Sequence, residues 1–409
     1  MRTSLGRVLR SMTAGAVALA LGACATPLIR NPAPAELAGV AIPYGIDAGP
    51  FVLRGWGDEV DVAEGDRIVA RRAALMRQVH AEEIAAGRTI RETALLLSGG
   101  GPDGAFGAGL MNGWTARGDR PEFTLVTGIS TGAIIALFAF LGPQYDDALR
   151  EIYTTYRTEQ LLSASLFGAL TGGPALTDAR GYRTLIETYI TDEVVSELAA
   201  AAARGRALLI GTTNLDAARP VVWNLSAIAA TGDPQAKRLI HDVIQASSAI
   251  PALFPPLVIP VQGPDGRRYD EMHVDGGAVQ QVMFLSPSFP LRRIDRALGA
   301  RFDREAWVVV NNKLRKPYAP VAPRVLPIAA TAGGSLLGGS GGADVYRIFA
   351  LAQRDRVRLN IISIPTDFSD HAVEPFDPVY MSALFDLGFA AGLAGEGWSS
   401  RPLDFEPDD

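Results

Sequence analysis

Two closely spaced glycine-rich turns constrain this chain more than any other feature. The first is Leu95-Leu96-Leu97-Ser98-Gly99-Gly100-Gly101-Pro102-Asp103-Gly104, and the second is Leu125-Val126-Thr127-Gly128-Ile129-Ser130-Thr131-Gly132. Each follows an apolar run and opens a small-residue stretch suited to a helix. The pattern predicts strand, turn and helix twice over, a parallel βαβα unit. Ser130 stands between two glycines at the second turn, the G-x-S-x-G form of a nucleophile elbow, where bulky neighbours clash. This reading makes Ser130 the attacker of an acyl carbonyl. The amides of Gly99, Gly100 and Gly101 then become donors to the oxyanion that results.

The spacing Gly99-x-Gly101-x-x-Gly104 also satisfies a dinucleotide-binding fingerprint. That reading requires an acidic residue at the end of the next strand, to hold ribose hydroxyls. The next strand ends instead at Gly128-Ile129-Ser130. The sequence therefore calls for no cofactor, and it offers no metal-ligand cluster.

Residues 1–23 read as a secretory leader, with Arg2, Arg7 and Arg10 ahead of the apolar run Met12 to Leu21. The run is shorter than the roughly 20 residues of a spanning helix. Leu21-Gly22-Ala23-Cys24 resembles the lipobox of bacterial lipoproteins, which implies lipidation of Cys24, the chain's one cysteine. With a single cysteine no intrachain disulfide can form. Ala25 follows where an inner-membrane retention signal is usually Asp, so the expected place is the cell envelope, on the periplasmic side of the outer membrane.

Residues 24–57 are rich in Pro, Gly and Ala and read as a flexible tether. Residues 58–403 read as one globular domain, with a motif core at about 93–312, and 404–409 as an acidic tail. Losing the three leader arginines takes the formal charge from −6 to −9. A mildly acidic chain without a basic cluster excludes nucleic acid as a natural partner.

Helical spacing marks 58–86, and Ala133 to Leu141 continues the elbow helix. Further helices are expected at 146–160, 179–190, 192–203, 240–250, 329–352 and 379–393. Strands are expected at 206–213, 220–225, 268–274, 307–310 and 359–364. The apolar, glycine-rich stretch 161–176 is placed to act as a flap or as an ordinary connection. Alternating strands and helices imply one α/β domain with a mainly parallel sheet.

The base is harder to find. Of the four histidines His80, His241, His273 and His371, His371 follows the last expected strand, where a triad histidine would also lie. Asp275 closes another strand and is followed by Gly276-Gly277. Residue types and spacing leave Asp275 and His371 level. His273 shares strand parity with Asp275, and Asn214, Asn311 and Asn312 end expected strands; all four read as supporting residues.

Taken together, Gly99-Gly100-Gly101-x-x-Gly104, Gly128-Ile129-Ser130-Thr131-Gly132 and Asp275-Gly276-Gly277 resemble the three motifs of the patatin-like phospholipases. Ser247-Ser248-Ala249-Ile250-Pro251 with Phe254-Pro255-Pro256 resembles a fourth segment of that family. The resemblance implies a three-layer α/β/α patatin-like fold with a mainly parallel central sheet. It also implies a Ser–Asp dyad of Ser130 and Asp275, and hydrolysis of lipid acyl esters. The family's glycine loop usually carries Arg or Lys where this chain has Asp103, so its head-group preference does not carry over. Asp103 is expected to cap the helix that follows. The rival readings are a Ser130–His371 esterase and a lipoprotein that binds lipid without cleaving it.

Overall fold

The computed structural model describes residues 30–164, 177–315, 318, 320–403 and 405. The expected leader and Cys24, most of the 161–176 stretch and nearly all of the acidic tail lie outside the described residues.

Two short strands, β1 (Ile42–Pro43) and β2 (Arg54–Trp56), precede helix α1 (Val62–Val79). The glycine turns then sit where expected, in the succession β3 (Ile90–Leu97), α2 (Gly104–Arg117), β4 (Leu125–Ile129) and α3 (Thr131–Leu141). Helix α4 (Asp146–Thr154) follows, then a two-stranded ribbon of β5 (Ser163–Ala164) and β6 (Thr177–Asp178). Next come α5 (Arg180–Tyr189), α6 (Asp192–Ala203), β7 (Ala207–Asn214), β8 (Arg219–Asn224), α7 (Leu225–Ala230) and α8 (Ala236–Ser247). The chain continues through the hairpin β9 (Leu257–Gln262) and β10 (Arg268–Asp275) to α9 (Arg292–Leu298). It ends with β11 (Phe302–Val310), the long α10 (Val325–Asp355), β12 (Val357–Ser363) and α11 (Pro378–Ala394).

The central strands β7-β4-β3-β11-β12 all pair in parallel. Their runs, such as Ala94–Leu97 and Trp307–Val310, are apolar without alternation because both faces are covered. Leu95, Leu97, Trp307 and Val309 pack with α2, α3 and α11 on one face. Ala94, Leu96, Val308 and Leu359 pack with Val345, Ile348 and Ala352 of α10 on the other. The result is three layers, α/β/α, with the antiparallel strands β1, β2, β8, β9 and β10 gathered on one flank.

Helix α2 is buried almost all round because α11 touches it backbone to backbone. A Cβ on Gly109 would fall 1.9 Å from the Phe385 carbonyl oxygen, and one on Gly388 2.0 Å from that of Phe106.

Residues 30–57 depart from the expected tether, because they are built into the sheet. Ile42 and Pro43 pair with β9, and Arg54 to Trp56 pair with β8. Leu53 and Ile46 are buried in the main core. Proline-rich composition disfavours helix but is compatible with short edge strands, where a missing N–H costs nothing. Arg54 also reaches Glu271 at 2.7 Å, and both side chains are almost wholly enclosed. Arg54→Ala leaves that carboxylate without its cation, with the buried His273 imidazole as its remaining side-chain partner, and should cost about 3 kcal/mol in urea unfolding.

Candidate active site

Ser130 follows β4 with φ 55° and ψ −128°, a backbone conformation that residues other than glycine rarely adopt. The neighbouring glycines allow it. A Cβ on Gly132 would lie 2.5 Å from the Ser98 carbonyl oxygen, and one on Gly128 2.3 Å from that of Gly132. The strain is held from behind by Ser247 at the end of α8. Its hydroxyl accepts the Ser130 N–H at 3.0 Å and donates to the Gly211 carbonyl at 2.7 Å. Helix α3 starts at Thr131, so its partial positive end lies at the serine.

Asp275 arrives from the other direction. Strand β10 pairs antiparallel with β7, setting Asp275 opposite Thr212, and the carboxylate accepts a hydrogen bond from Ser130 Oγ at 2.6 Å. Its other oxygen accepts the Gly277 N–H at 2.7 Å. Both Ser130 and Asp275 are 5% exposed. Burial pushes the Asp275 carboxyl up from 3.8 to about 6, against the lowering effect of its two donors.

No histidine joins this pair among the described residues. His371 lies exposed in a loop. His273 is fully buried between Glu271 and Thr212, at 3.1 and 2.9 Å, and burial keeps its pKa below the ordinary imidazole range. His241 bonds the Ile190 carbonyl at 2.9 Å, and His80 lies in the turn after α1. Of the two candidates that the sequence leaves level, the structure brings Asp275 to the serine.

The glycine loop runs beside Ser130: a Cβ on Gly99 would lie 3.2 Å from Ser130 Cβ. Its three amides are not equivalent. The Gly99 N–H is already donated to the Gln281 carbonyl at 3.1 Å, which corrects its expected part as an oxyanion donor. Gly100 and Gly101 donate no backbone hydrogen bond among the described residues. Ser98, Asn311 and Asn312 brace the loop. Asn311 donates its main-chain and side-chain N–H groups to Ser98, at 2.7 and 2.9 Å, and the Asn312 amide donates to the Gly99 carbonyl at 3.0 Å. Gly100 passes so close that a Cβ there would meet the Asn311 carbonyl oxygen at 2.1 Å.

Asp103 makes no side-chain cap on α2. Its carboxylate instead accepts the Tyr380 hydroxyl at 2.6 Å and ties the glycine loop to α11. Asn214 bonds the amides of Asp216 and Ala217 and shapes the β7–β8 turn. The flanks of the 161–176 stretch pair as β5 and β6. Thr177 is tied to the Leu253 carbonyl, just beyond the segment that carries Ser247. Among the described residues no group of His, Cys, Asp and Glu is arranged to hold a metal ion.

In the sequence Ser247 stands within a motif that does not reveal its part, and nothing marks Gln281. Both act through backbone groups, which leave no residue-type signal.

No curated protein matches the chain. Among solved structures, VipD from Legionella pneumophila is 12% identical, over 76% of this chain and 68% of that one, with a TM-score of 0.36. Human GIVD cytosolic phospholipase A2 is 13% identical, over 70% of this chain and 51% of that one, with a TM-score of 0.33. The family model for patatin-like phospholipase matches residues 95–287, a span that contains both glycine turns, Ser247, Asp275 and Gln281. Through residues 95–287 the chain is similar to the patatin-like phospholipases, a family of lipid acyl hydrolases.

Proposed function

We propose that this protein hydrolyses lipid acyl esters through a Ser130–Asp275 dyad. The observation that carries the reading is the 2.6 Å bond between Ser130 Oγ and Asp275 Oδ2 at a strained elbow, beside two uncommitted glycine amides. Asp275 takes the Ser130 proton as Oγ attacks the acyl carbonyl. The amides of Gly100 and Gly101 stabilise the oxyanion, each worth about 3 kcal/mol. Protonated Asp275 then gives its proton to the leaving alcohol, and the acyl group stays on Ser130. Water, deprotonated by Asp275, attacks the acyl-enzyme; Asp275 then passes that proton to the departing Ser130 Oγ, and the fatty acid leaves with the free dyad restored. A carboxyl raised to about 6 is a better base at neutral pH than an ordinary aspartate.

The lipobox-like sequence before Cys24 supports anchoring by acyl chains at the envelope, on the periplasmic side of the outer membrane. Among the described residues no helix is long and apolar enough to cross a membrane. Mass spectrometry of the mature N-terminus should find lipid on Cys24, and Cys24→Ala should leave the membrane fraction.

The test is fatty-acid release from a neutral diacylglycerol emulsion, phosphatidylcholine vesicles or phosphatidylglycerol vesicles, each added separately. Release of one fatty acid per ester cleaved supports the hydrolase. Vesicle binding without release supports a lipid-holding protein instead. For the free enzyme, kcat/KM should fall about tenfold per pH unit below about 6, as Asp275 becomes protonated.

A further inference from the structure

The segment Gln280–Met283, just after the Asp275 loop, touches three parts of the site at once. The Gln281 carbonyl accepts the Gly99 N–H at 3.1 Å, and the Gln281 side-chain amide donates to the Gly277 carbonyl at 3.0 Å. Two residues on, the Met283 carbonyl accepts the Thr127 hydroxyl at 2.6 Å, on the strand that ends at the nucleophile. Gln281 therefore joins the loop that offers oxyanion donors to the loop that carries the proposed base.

What fixes Gln281 comes from α10, on the opposite layer. The Asp344 carboxylate accepts both the Gln281 N–H, at 2.6 Å, and the Val282 N–H, at 3.0 Å. Asp344 is 7% exposed, and its second oxygen pairs with Arg347 at 2.9 Å. One turn earlier on α10, a Cβ on Gly341 would lie 3.7 Å from Gln281 Cβ, so the helix leans directly on this residue. Bonds from two backbone amides to one carboxylate are charge-assisted and directional. Packing of α10 on the sheet needs neither of them, since Val345, Ile348 and Ala352 already supply the apolar contact.

We infer that Asp344 is a positioning residue: by clamping Gln281 it sets the glycine loop against Ser130 and Asp275. This rests on the proposed dyad. Asp344 touches no reacting atom, so its loss should spoil transition-state stabilisation while leaving ester binding intact.

The experiment compares Asp344→Ala and Asp344→Asn with Val345→Ala, which opens a cavity on the same helix without touching Gln281. Asp344→Ala should lower kcat on a short acyl ester at least tenfold with KM within twofold. Asp344→Asn, which keeps one acceptor, should recover part of that loss. Val345→Ala should keep kcat within twofold even if its Tm falls as far. Hydrogen exchange in the peptide spanning Gly99–Gly101 should accelerate in Asp344→Ala and stay slow in Val345→Ala.

An Asp344→Ala enzyme with kcat within twofold of wild type would overturn the inference, as would equal kcat losses in both variants. Should Asp344→Ala not fold, Asp344→Asn decides alone: a threefold or greater kcat loss with faster exchange at Gly99–Gly101 supports the clamp, and an unchanged kcat refutes it. The exchange readout needs no catalysis. If the wild-type chain proves inactive, unaltered exchange at Gly99–Gly101 still sinks the clamp, and faster exchange still supports it.

Discussion

Ser130→Ala should lower kcat on acyl esters by about 10⁴-fold or more, because it removes the atom that bonds to the acyl group. Asp275→Asn should cost about 10²–10⁴-fold, the range for a lost general base. The two variants differ in stability in an informative way. Folded Asp275 holds its proton up to pH about 6, against 3.8 for the ordinary carboxyl. Its favourable contribution is therefore full below pH 4 and is lost as pH rises through 6. At pH 8 the wild-type chain carries a buried carboxylate that Asn would not. Asp275→Asn should thus gain up to about 3 kcal/mol in urea unfolding at pH 8, and nothing at pH 3.5. Ser130→Ala should show no such gain, since it leaves the buried charge and removes one of its two donors. An inactive but more stable Asp275→Asn enzyme is the signature of a residue kept for chemistry at the expense of stability.

Gly100→Ala should be the second severe lesion. Its methyl group would sit 2.1 Å from the Asn311 carbonyl oxygen, a backbone atom at the end of β11. The loop must swing away from Asn311, and the Gly100 and Gly101 amides go with it. A kcat loss of about 10²–10³-fold is expected, equal to losing one oxyanion donor outright. Gly101→Ala is the comparison. Its Cβ meets nothing within 4 Å, although φ there is +59°. That substitution should cost about 1–2 kcal/mol of backbone strain and far less activity. Steady-state kinetics and denaturant unfolding on the pair separate loop displacement from loop strain. Equal activity in Gly100→Ala and wild type would mean that the loop amides do not act on the substrate.

The parts of the fold that were legible in the sequence are those with one dominant signal. Strands β3 and β4 and helix α3 are long apolar runs punctuated by glycine, and they stand where the turns place them. Strand β11 was expected over 307–310 and is longer, because Asp303, Arg304 and Glu305 look like loop residues. In the fold Arg304 pairs with Glu92 and Asp295, and Arg358 reaches Asp303 and Glu305, so the strand's charged half is satisfied by neighbours. Strand β9 is hidden by Pro255-Pro256 before it and Pro260 inside its Val/Ile run, residues that read against a strand, and its place shows only in the hairpin with β10. The same holds for residues 30–57, whose prolines hid two edge strands.

The strained turn at Ser130 is legible from its glycines alone. Asp275 needed the family resemblance, because nothing local separates an Asp-Gly-Gly turn from a catalytic loop. What singles it out is the antiparallel register of β10 on β7, a long-range property. The clamp of Asp344 on Gln281 was not legible at all, being made to backbone amides whose positions only the folded chain defines.

The most direct test of the Ser130–Asp275 account is intact-protein and peptide mass spectrometry after reaction with a fluorophosphonate. A Ser130–Asp275 dyad should give a single phosphonyl adduct on Ser130, forming at a rate that rises with pH through about 6 and falls at least about 100-fold in Asp275→Asn. An adduct on another residue, or an Asp275→Asn protein labelled at the wild-type rate, would contradict it.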